Sequence, residues 1–325
     1  MATAVSHEQI DAGELELHVA CCGPDDGPPV VLCHGFPELW YSWRHQLAAL
    51  GDAGYRAIAP DLRGYGESDH PSGDVAAYGS DRITADLCGL LDHFGYEQAT
   101  FVGHDWGAIA VWEMGKLHPR RVSSIYNMSV PLSRPPTSPP IGRLDAIFAG
   151  KFFYILYFQP VGPAEAELEA DPREFLGRFF YSAGGEGRSE GPAMALAARE
   201  GTGLLDTLRT SPVHLPAWLS EDDLDVYADA FAEGGFFGPL SYYRNLDANW
   251  ERSKDIAPST LAMPTGFLTG SLDPVIGMFR DAQATMEADL PDFRGTTSIE
   301  GAGHWVQQER PAEVNAAMLS FLTSL

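Results

Sequence analysis

The sequence predicts an α/β protein with a mostly parallel sheet interrupted by a helical insertion, and three observations predict it. Strand-like and helix-like segments alternate from Ile10 to Val130, a pattern that argues for a parallel sheet covered by helices. The proline-rich stretch PLSRPPTSPP, residues 131–140, then stops the alternation, because it can continue neither a helix nor a central strand. From Ile141 to about Trp250 the residues read as helical, with aromatic clusters and a glycine-rich tract, AGGEGRSEGP, before strand signals return. The simplest arrangement is a core in two pieces, residues 1–132 and 253–325, with a helical cap at 133–252.

Taken in order, Ile10 to Ala20 alternates loosely, as in an opening antiparallel hairpin. PPVVLCHG reads as a buried strand, LWYSWRHQLAALGDAG as a helix and YRAIAPD as a second buried strand, followed by the loop LRGYGESDHPSG. SDRITADLCGLLDHFG reads as a helix with Ser80 as N-cap and Gly95 as its C-terminal stop. QATFVG is a strand, WGAIAVWEMGKLHP a helix and RVSSIYNMSV a strand. After the insertion come PTGFLTG and GTTSIEG as strands and PAEVNAAMLSFLTSL as a closing helix.

Composition bounds the function. The 325 residues are 45% hydrophobic and 20% charged, so the chain can bury a sizeable core. The formal net charge of -24 repels phosphate backbones, which makes nucleic acid a poor partner and also disfavours anionic membranes. No apolar run reaches the roughly 18 residues that would span a bilayer. MATAVSHEQIDAGE lacks the basic and apolar regions of a signal peptide, so a cytoplasmic location is expected. Cys21, Cys22, Cys33 and Cys88 form no CxxC pair and read as buried thiols in a reducing compartment, with no metal site expected. The composition is compatible with a homo-oligomer.

The chemistry concentrates at Gly103-His104-Asp105-Trp106-Gly107, between a strand and a helix. The spacing is that of a nucleophile elbow, G-x-S-x-G, with aspartate in the serine position. A serine that attacked a saturated carbon would leave an ether, which water does not easily cleave. A carboxylate attacking the same carbon leaves an ester, whose carbonyl water can attack in a second step. The carboxylate also needs no base, since its reference pKa is about 3.9. Aspartate at the elbow therefore points to displacement at an sp3 carbon, in an epoxide or a carbon–halogen bond. His304 in GAGHW supplies a base for the water and Asp273 in TGSLDPV an orienting acid. The backbone N–H groups of Trp106 and Phe36 are the candidate donors to the oxyanion formed during hydrolysis.

HGFP at His34–Pro37, DLRGYGES, GHDWG, the aspartate of GSLDPV and the histidine of GHW resemble the epoxide hydrolases of the α/β-hydrolase fold. The resemblance covers the chain from about Ile10 to Leu322. It implies an α/β-hydrolase core under a helical cap, hydrolysis of epoxides to vicinal diols with water as co-substrate, and no metal or organic cofactor. In the cap, FYILYFQPVGPAEAELE and SYYRN resemble the segments that carry two ring-opening tyrosines, which fall on Tyr154 and Tyr243, with Tyr157 and Tyr242 as neighbouring competitors. A phenol keeps its proton at pH 7 yet can give it to a developing alkoxide.

Each of these residues also has a bland reading. His304 alone would serve packing, but after Gly303 and in the order Asp105, Asp273, His304 the chemical reading is preferred. Asn127 stands where an alternative acid partner could sit, but it carries no charge. His104 reads as a packed histidine, His34 as a shaper of the oxyanion loop, and Asp61 and Arg63 as braces of a loop. Pro37 is a position where a cis peptide is allowed. Phe36, Trp106, Phe153 and Trp305 are candidate walls of the substrate pocket. A dehalogenase shares the two-step ester logic, yet GHDWGAIAVWEM lacks the arginines that a fluoroacetate-type enzyme carries after its nucleophile. A non-catalytic scaffold on the same fold would be expected to show a broken triad, and an esterase a Ser or Cys nucleophile.

Overall fold

A computed structural model describes residues 4–210 and 214–325. Its eight strands form one sheet in the order β1-β2-β4-β3-β5-β6-β7-β8. β1 (Ser6–Asp11) and β2 (Glu16–Cys22) make the expected antiparallel hairpin, with Ile10 opposite Leu17. β2 runs antiparallel to β4 (Arg56–Pro60). From there the sheet is parallel through β3 (Pro29–Cys33), β5 (Ala99–His104), β6 (Val122–Met128), β7 (Thr265–Gly270) and β8 (Phe293–Ile299). β5 and β7 are buried at every position, as an apolar run covered on both faces requires, whereas β8 at the sheet edge is largely open.

The helices α1 (Arg44–Asp52), α2 (Ser80–His93) and α3 (Trp106–Leu117) alternate with the first parallel strands. α2 corrects one expectation. Its N-cap is Gly79, and Ser80 is the first helical residue. The Ser80 N–H is satisfied from another part of the chain, by Asn249 Oδ1 at 2.8 Å, so the serine hydroxyl is not used as a cap. Gly95 does end this segment, with φ +74°.

Between β6 and β7 lie α4 (Pro140–Ile147), α5 (Tyr154–Tyr157), α6 (Pro163–Leu168), α7 (Pro172–Ala183), α8 (Gly185–Ser189), α9 (Glu221–Gly234), α10 (Phe237–Arg244) and α11 (Leu246–Ser253). The helical reading of this insertion is too broad. Among the described residues, 190–220 contain no helix and make only the isolated bridges Lys151–Ala198 and Met194–Leu208. Gly191 and Gly201 adopt positive φ there, and Pro192, Gly203 and Pro216 further punctuate the run. Residues 211–213 of the stretch lie outside the described residues. The chain closes with α12 (Pro274–Met278), α13 (Arg280–Asp289), α14 (Val306–Glu309) and α15 (Pro311–Thr323). Among the described residues no helix is long and apolar enough to cross a membrane.

Two apolar layers flank the sheet. One packs α1 and α15 against it through Trp43, Leu47, Leu50, Val314, Met318 and Leu322. The other runs from Val31 and Phe101 through Phe36 and Trp106 into the insertion at Phe158, Phe175 and Tyr243. The insertion therefore shares a core with the sheet at the C-terminal ends of its strands. Those ends carry Asp105, Asp273 and His304, which is where open α/β sheets place their ligands.

Candidate active site

Asp105 sits on the tight turn between β5 and α3 with φ 51° and ψ -117°, a conformation that L residues rarely adopt. The turn is held shut by close backbone approach. A Cβ on Gly103 would lie 2.5 Å from the Gly107 carbonyl oxygen, and one on Gly107 would lie 2.0 Å from that of Cys33. Both small residues of the motif are thus sterically required, and the strain lifts the Asp105 side chain clear of the strand.

The carboxylate has distinct surroundings at its two oxygens. Phe36 N–H donates to Oδ1 at 2.9 Å, from the loop after β3. Oδ2 lies 3.6 Å from His304 Nε2. Trp106 opens α3 directly after the aspartate, so the helix N-terminus faces it. The Phe36–Pro37 peptide in the same loop is cis, at the position where the sequence allowed it. His34 accepts the Leu62 N–H at Nε2, 3.0 Å away, and so braces this loop.

His304 follows β8 and pairs through Nδ1 with Asp273 Oδ1 at 3.1 Å. Asp273 follows β7 and also caps α12 through Val275 N–H at 2.9 Å. Burial disfavours a charge on His304, but Asp273 and Asp105 overcome it and hold its pKa well above the ordinary imidazole value. For Asp105, burial acts upward, but His304, His104 and the Phe36 N–H leave its pKa below the usual value. Each of the two groups thus favours the charged form of the other.

Tyr154 on α5 and Tyr243 on α10 face each other with ring centroids 5.9 Å apart. Burial is the main reason that both phenols are pushed above their usual range, and the Asp105 charge adds to it in each case. Both hydroxyl groups hence keep their protons. The competitors are engaged elsewhere: Tyr242 donates to Arg63 O at 3.0 Å, and Tyr157 to Pro163 O at 3.4 Å.

Phe36 packs edge-on against Tyr243 and Phe179, and the Trp106 ring lies 4.9 Å from that of Tyr243. Phe153 stacks on Phe148 at 3.9 Å and touches Tyr154. Trp305 is fully buried beside His304, with its indole N–H on Phe180 O at 2.8 Å. Asn127 is spent on structure, donating to Ala108 O at 3.0 Å. Asp61 accepts from Trp40 N–H at 2.9 Å, and Arg63 pairs with Asp86 at 2.6 Å, so both brace loops as expected.

Sequence reasoning missed the shell behind the triad. His104 is packed, as expected, but between two specific partners: Glu38 Oε2 at 2.6 Å and the His304 carbonyl at 2.8 Å. Glu38 also accepts from Gly35 N–H and from the amides of Gln307 and Gln308. Ser129, with φ 66°, adds its hydroxyl to the same His304 carbonyl at 3.3 Å. A further carboxylate, Glu309, is buried beneath the histidine loop. No local signal marked this shell: Gln307, Gln308 and Glu309 read as an ordinary polar run three residues after His304.

A family model for the alpha/beta hydrolase fold matches residues 28–311. The chain is 45% identical to epoxide hydrolase A of Mycobacterium tuberculosis, over 99% of this chain and 98% of that protein. It is 38% identical to epoxide hydrolase 2 of Siraitia grosvenorii, over 98% of each. The crystal structure of epoxide hydrolase A from Mycobacterium thermoresistibile superposes with a TM-score of 0.91 at 43% identity, over 98% of both chains.

Proposed function

The chain belongs to the epoxide hydrolases of the α/β-hydrolase fold, and from that premise we propose that it makes vicinal diols through an alkyl ester on Asp105 that water activated by His304 hydrolyses. The observation that supports this reading best is Asp105 Oδ2 at 3.6 Å from His304 Nε2, with the buried phenols of Tyr154 and Tyr243, 5.9 Å apart ring to ring, close enough for the Asp105 charge to raise both of their pKa values.

In the first step Oδ2 is the attacking oxygen, because Oδ1 is already held by Phe36 N–H and is set to remain the carbonyl oxygen. A C–O bond of the ring breaks as the new one forms. Tyr154 or Tyr243 gives its proton to the departing alkoxide, while the second phenol hydrogen-bonds to the same oxygen. Alkylation removes the charge on Asp105. His304 then keeps only one carboxylate partner, so its pKa falls and it can release a proton to refill the phenolate and act as a base. In the second step His304 takes a proton from water, the hydroxide adds to the ester carbonyl, and the oxyanion sits on the N–H groups of Phe36 and Trp106. Collapse expels the ester oxygen as an alkoxide, which takes up the proton carried on the added hydroxide, so that the diol is freed and the Asp105 carboxylate restored. Phe36, Trp106, Phe153 and Trp305 are assigned to the walls of the pocket. The division into a core at 1–132 and 253–325 and a cap at 133–252 belongs to the same reading, as does a cytoplasmic location, in keeping with four cysteines of which none is in a disulfide among the described residues.

The test is mass spectrometry of the Asp105 peptide. His304→Gln given a small aromatic epoxide should accumulate an adduct on that peptide. The wild-type protein should release diol and no halide when haloalkanes are offered alongside. A folded His304→Gln protein that binds the epoxide and leaves the peptide unmodified would overturn the mechanism.

A further inference from the structure

The histidine that the mechanism relies on for ester hydrolysis stands on a buried loop, Gly301-Ala302-Gly303, that offers almost no side chains to anchor it. Something must fix its backbone. The Glu309 carboxylate, at the end of α14 and only 8% exposed, gathers three peptide N–H groups there. Its Oε2 accepts from Gly303 N–H at 2.9 Å and from Gly185 N–H at 2.9 Å, and its Oε1 from Trp305 N–H at 3.1 Å. Gly303 and Trp305 are the two neighbours of His304, whereas Gly185 opens α8 in the cap. His304 N–H itself is spent on Ala183 O of the cap at 2.9 Å.

Both oxygens of Glu309 receive only donors, which is how an ionised carboxylate is satisfied when buried. The geometry is specific to that form. A glutamine amide would keep one accepting oxygen and turn an NH2 group toward at least one of the three N–H groups, leaving donor facing donor.

We propose that Glu309 is a positioning residue for ester hydrolysis: by clamping both peptide groups that flank His304 and one from the cap, it sets the imidazole against Asp105. The inference rests on the two-step reading above. It assigns no role to Glu309 in ring opening, because the groups that perform that step are Asp105 and the phenols of α5 and α10, and none of them bonds to Glu309.

The test follows the two steps separately by rapid quench with styrene oxide, scoring the Asp105 ester and the diol. In Glu309→Gln, ester decay should slow by about tenfold or more, the scale of a catalytic group displaced by a fraction of an ångström, while ester formation stays within about threefold of wild type. The ester should therefore accumulate. Glu309→Asp, which keeps the charge but retracts it by one methylene, should fall between the two. It also serves as the test if the glutamine variant does not fold. Val314→Ala, in the apolar layer on the far side of the sheet, controls for loss of stability and should leave the ratio of the two rates at its wild-type value. Equal loss in both steps, or an unchanged ester decay, in a folded Glu309 variant overturns the inference. If the wild-type protein itself forms no ester on Asp105, the two-step reading fails instead, and that result is recognisable without any Glu309 variant.

Discussion

Two of the seams at which the helical insertion, the proposed cap, meets the core are built from different materials. At the first, α10 lies on the loop after β4. A Cβ on Gly238 would sit 3.0 Å from Gly64 Cα and 2.9 Å from the Tyr78 hydroxyl, so any side chain there must push its neighbours aside. The neighbours are aromatic, with Tyr242 edge-on to Tyr65 and Trp106, and hydrogen bonds run from the Tyr242 hydroxyl to Arg63 O and from the Asn245 side-chain amide to Val75 O. At the second, the α7–α8 corner lies on the histidine loop. A Cβ on Gly303 would sit 2.4 Å from Gly185 N, and hydrogen bonds to Glu309 and Ala183 O complete the join. The first seam ends in Tyr243 and the second in His304. Because the proposed mechanism assigns ring opening to the tyrosine and ester hydrolysis to the histidine, it makes the two half-reactions sensitive to different parts of one cap–core boundary.

The largest effect is expected where the second seam is tightest. Gly303→Ala brings a methyl group against three backbone atoms of the cap, none of which can swing aside. Overpacking of this kind costs about 1–3 kcal/mol. The displaced His304 should slow ester decay by about a hundredfold, as misplacement by an ångström can do. Thermal unfolding and single-turnover kinetics read the two consequences. A variant that loses ester formation to the same extent would erase the distinction between the seams.

A smaller and opposite split is expected at the first seam. Gly238→Ala meets the end of a tyrosine side chain and one Cα, contacts that can relax by a few tenths of an ångström. Tyr242→Phe strips Arg63 O of its donor, at a cost of about 1–2 kcal/mol. Each change should slow ester formation by about tenfold through Tyr243 and leave ester decay near wild type. If either variant traps the ester instead, α10 does not govern the opening step.

The contrast between the seams also explains what could be read before the structure. The first parallel strands, the elbow and the order Asp105, Asp273, His304 are local: each is a short motif bounded by turns, so periodicity and spacing carry them. The seams are not local. Gly64 with Gly238 and Gly185 with Gly303 are pairs far apart in sequence whose only shared property is the absence of a side chain. Glu309 looks like any solvent-facing acid in a short helix until three N–H groups converge on it. Ser80 was misread for the same reason, since the residue that satisfies its N–H is Asn249. The described part of 190–220 differs for another reason: Gly191, Pro192, Gly201, Gly203 and Pro216 punctuate it, and these local breakers override the helical reading given to the whole insertion.

The smallest effect concerns charge, and it acts on the second seam through His304. Burial works against the imidazolium, and Asp273 and Asp105 together more than restore it. Asp105→Asn removes one of those two anions while leaving the amide oxygen to accept from Phe36 N–H. The imidazolium loses a partner, so its pKa must fall. Histidine ring resonances followed by NMR against pH should show this directly, and every unit of downward shift represents about 1.4 kcal/mol of lost interaction. The linkage to stability has a definite window. A raised histidine pKa stabilises the fold fully below the ordinary value of 6.5 and loses that contribution as pH rises through the raised one. A depressed aspartate pKa stabilises above the ordinary 3.8 and loses it as pH falls through the depressed one. The stability difference between wild type and Asp105→Asn should therefore be widest between pH 3.8 and 6.5 and narrow on either side. Tyr243 provides the internal comparison. Its phenol is protonated with or without the Asp105 charge, because that charge only pushes its pKa further up, so its resonances should not titrate below pH 9 in either protein, about one unit under the ordinary phenol value. A His304 pKa that stays put in Asp105→Asn would mean that Asp273 alone holds the imidazolium. Alkylation of Asp105 could then not be what turns His304 into a base.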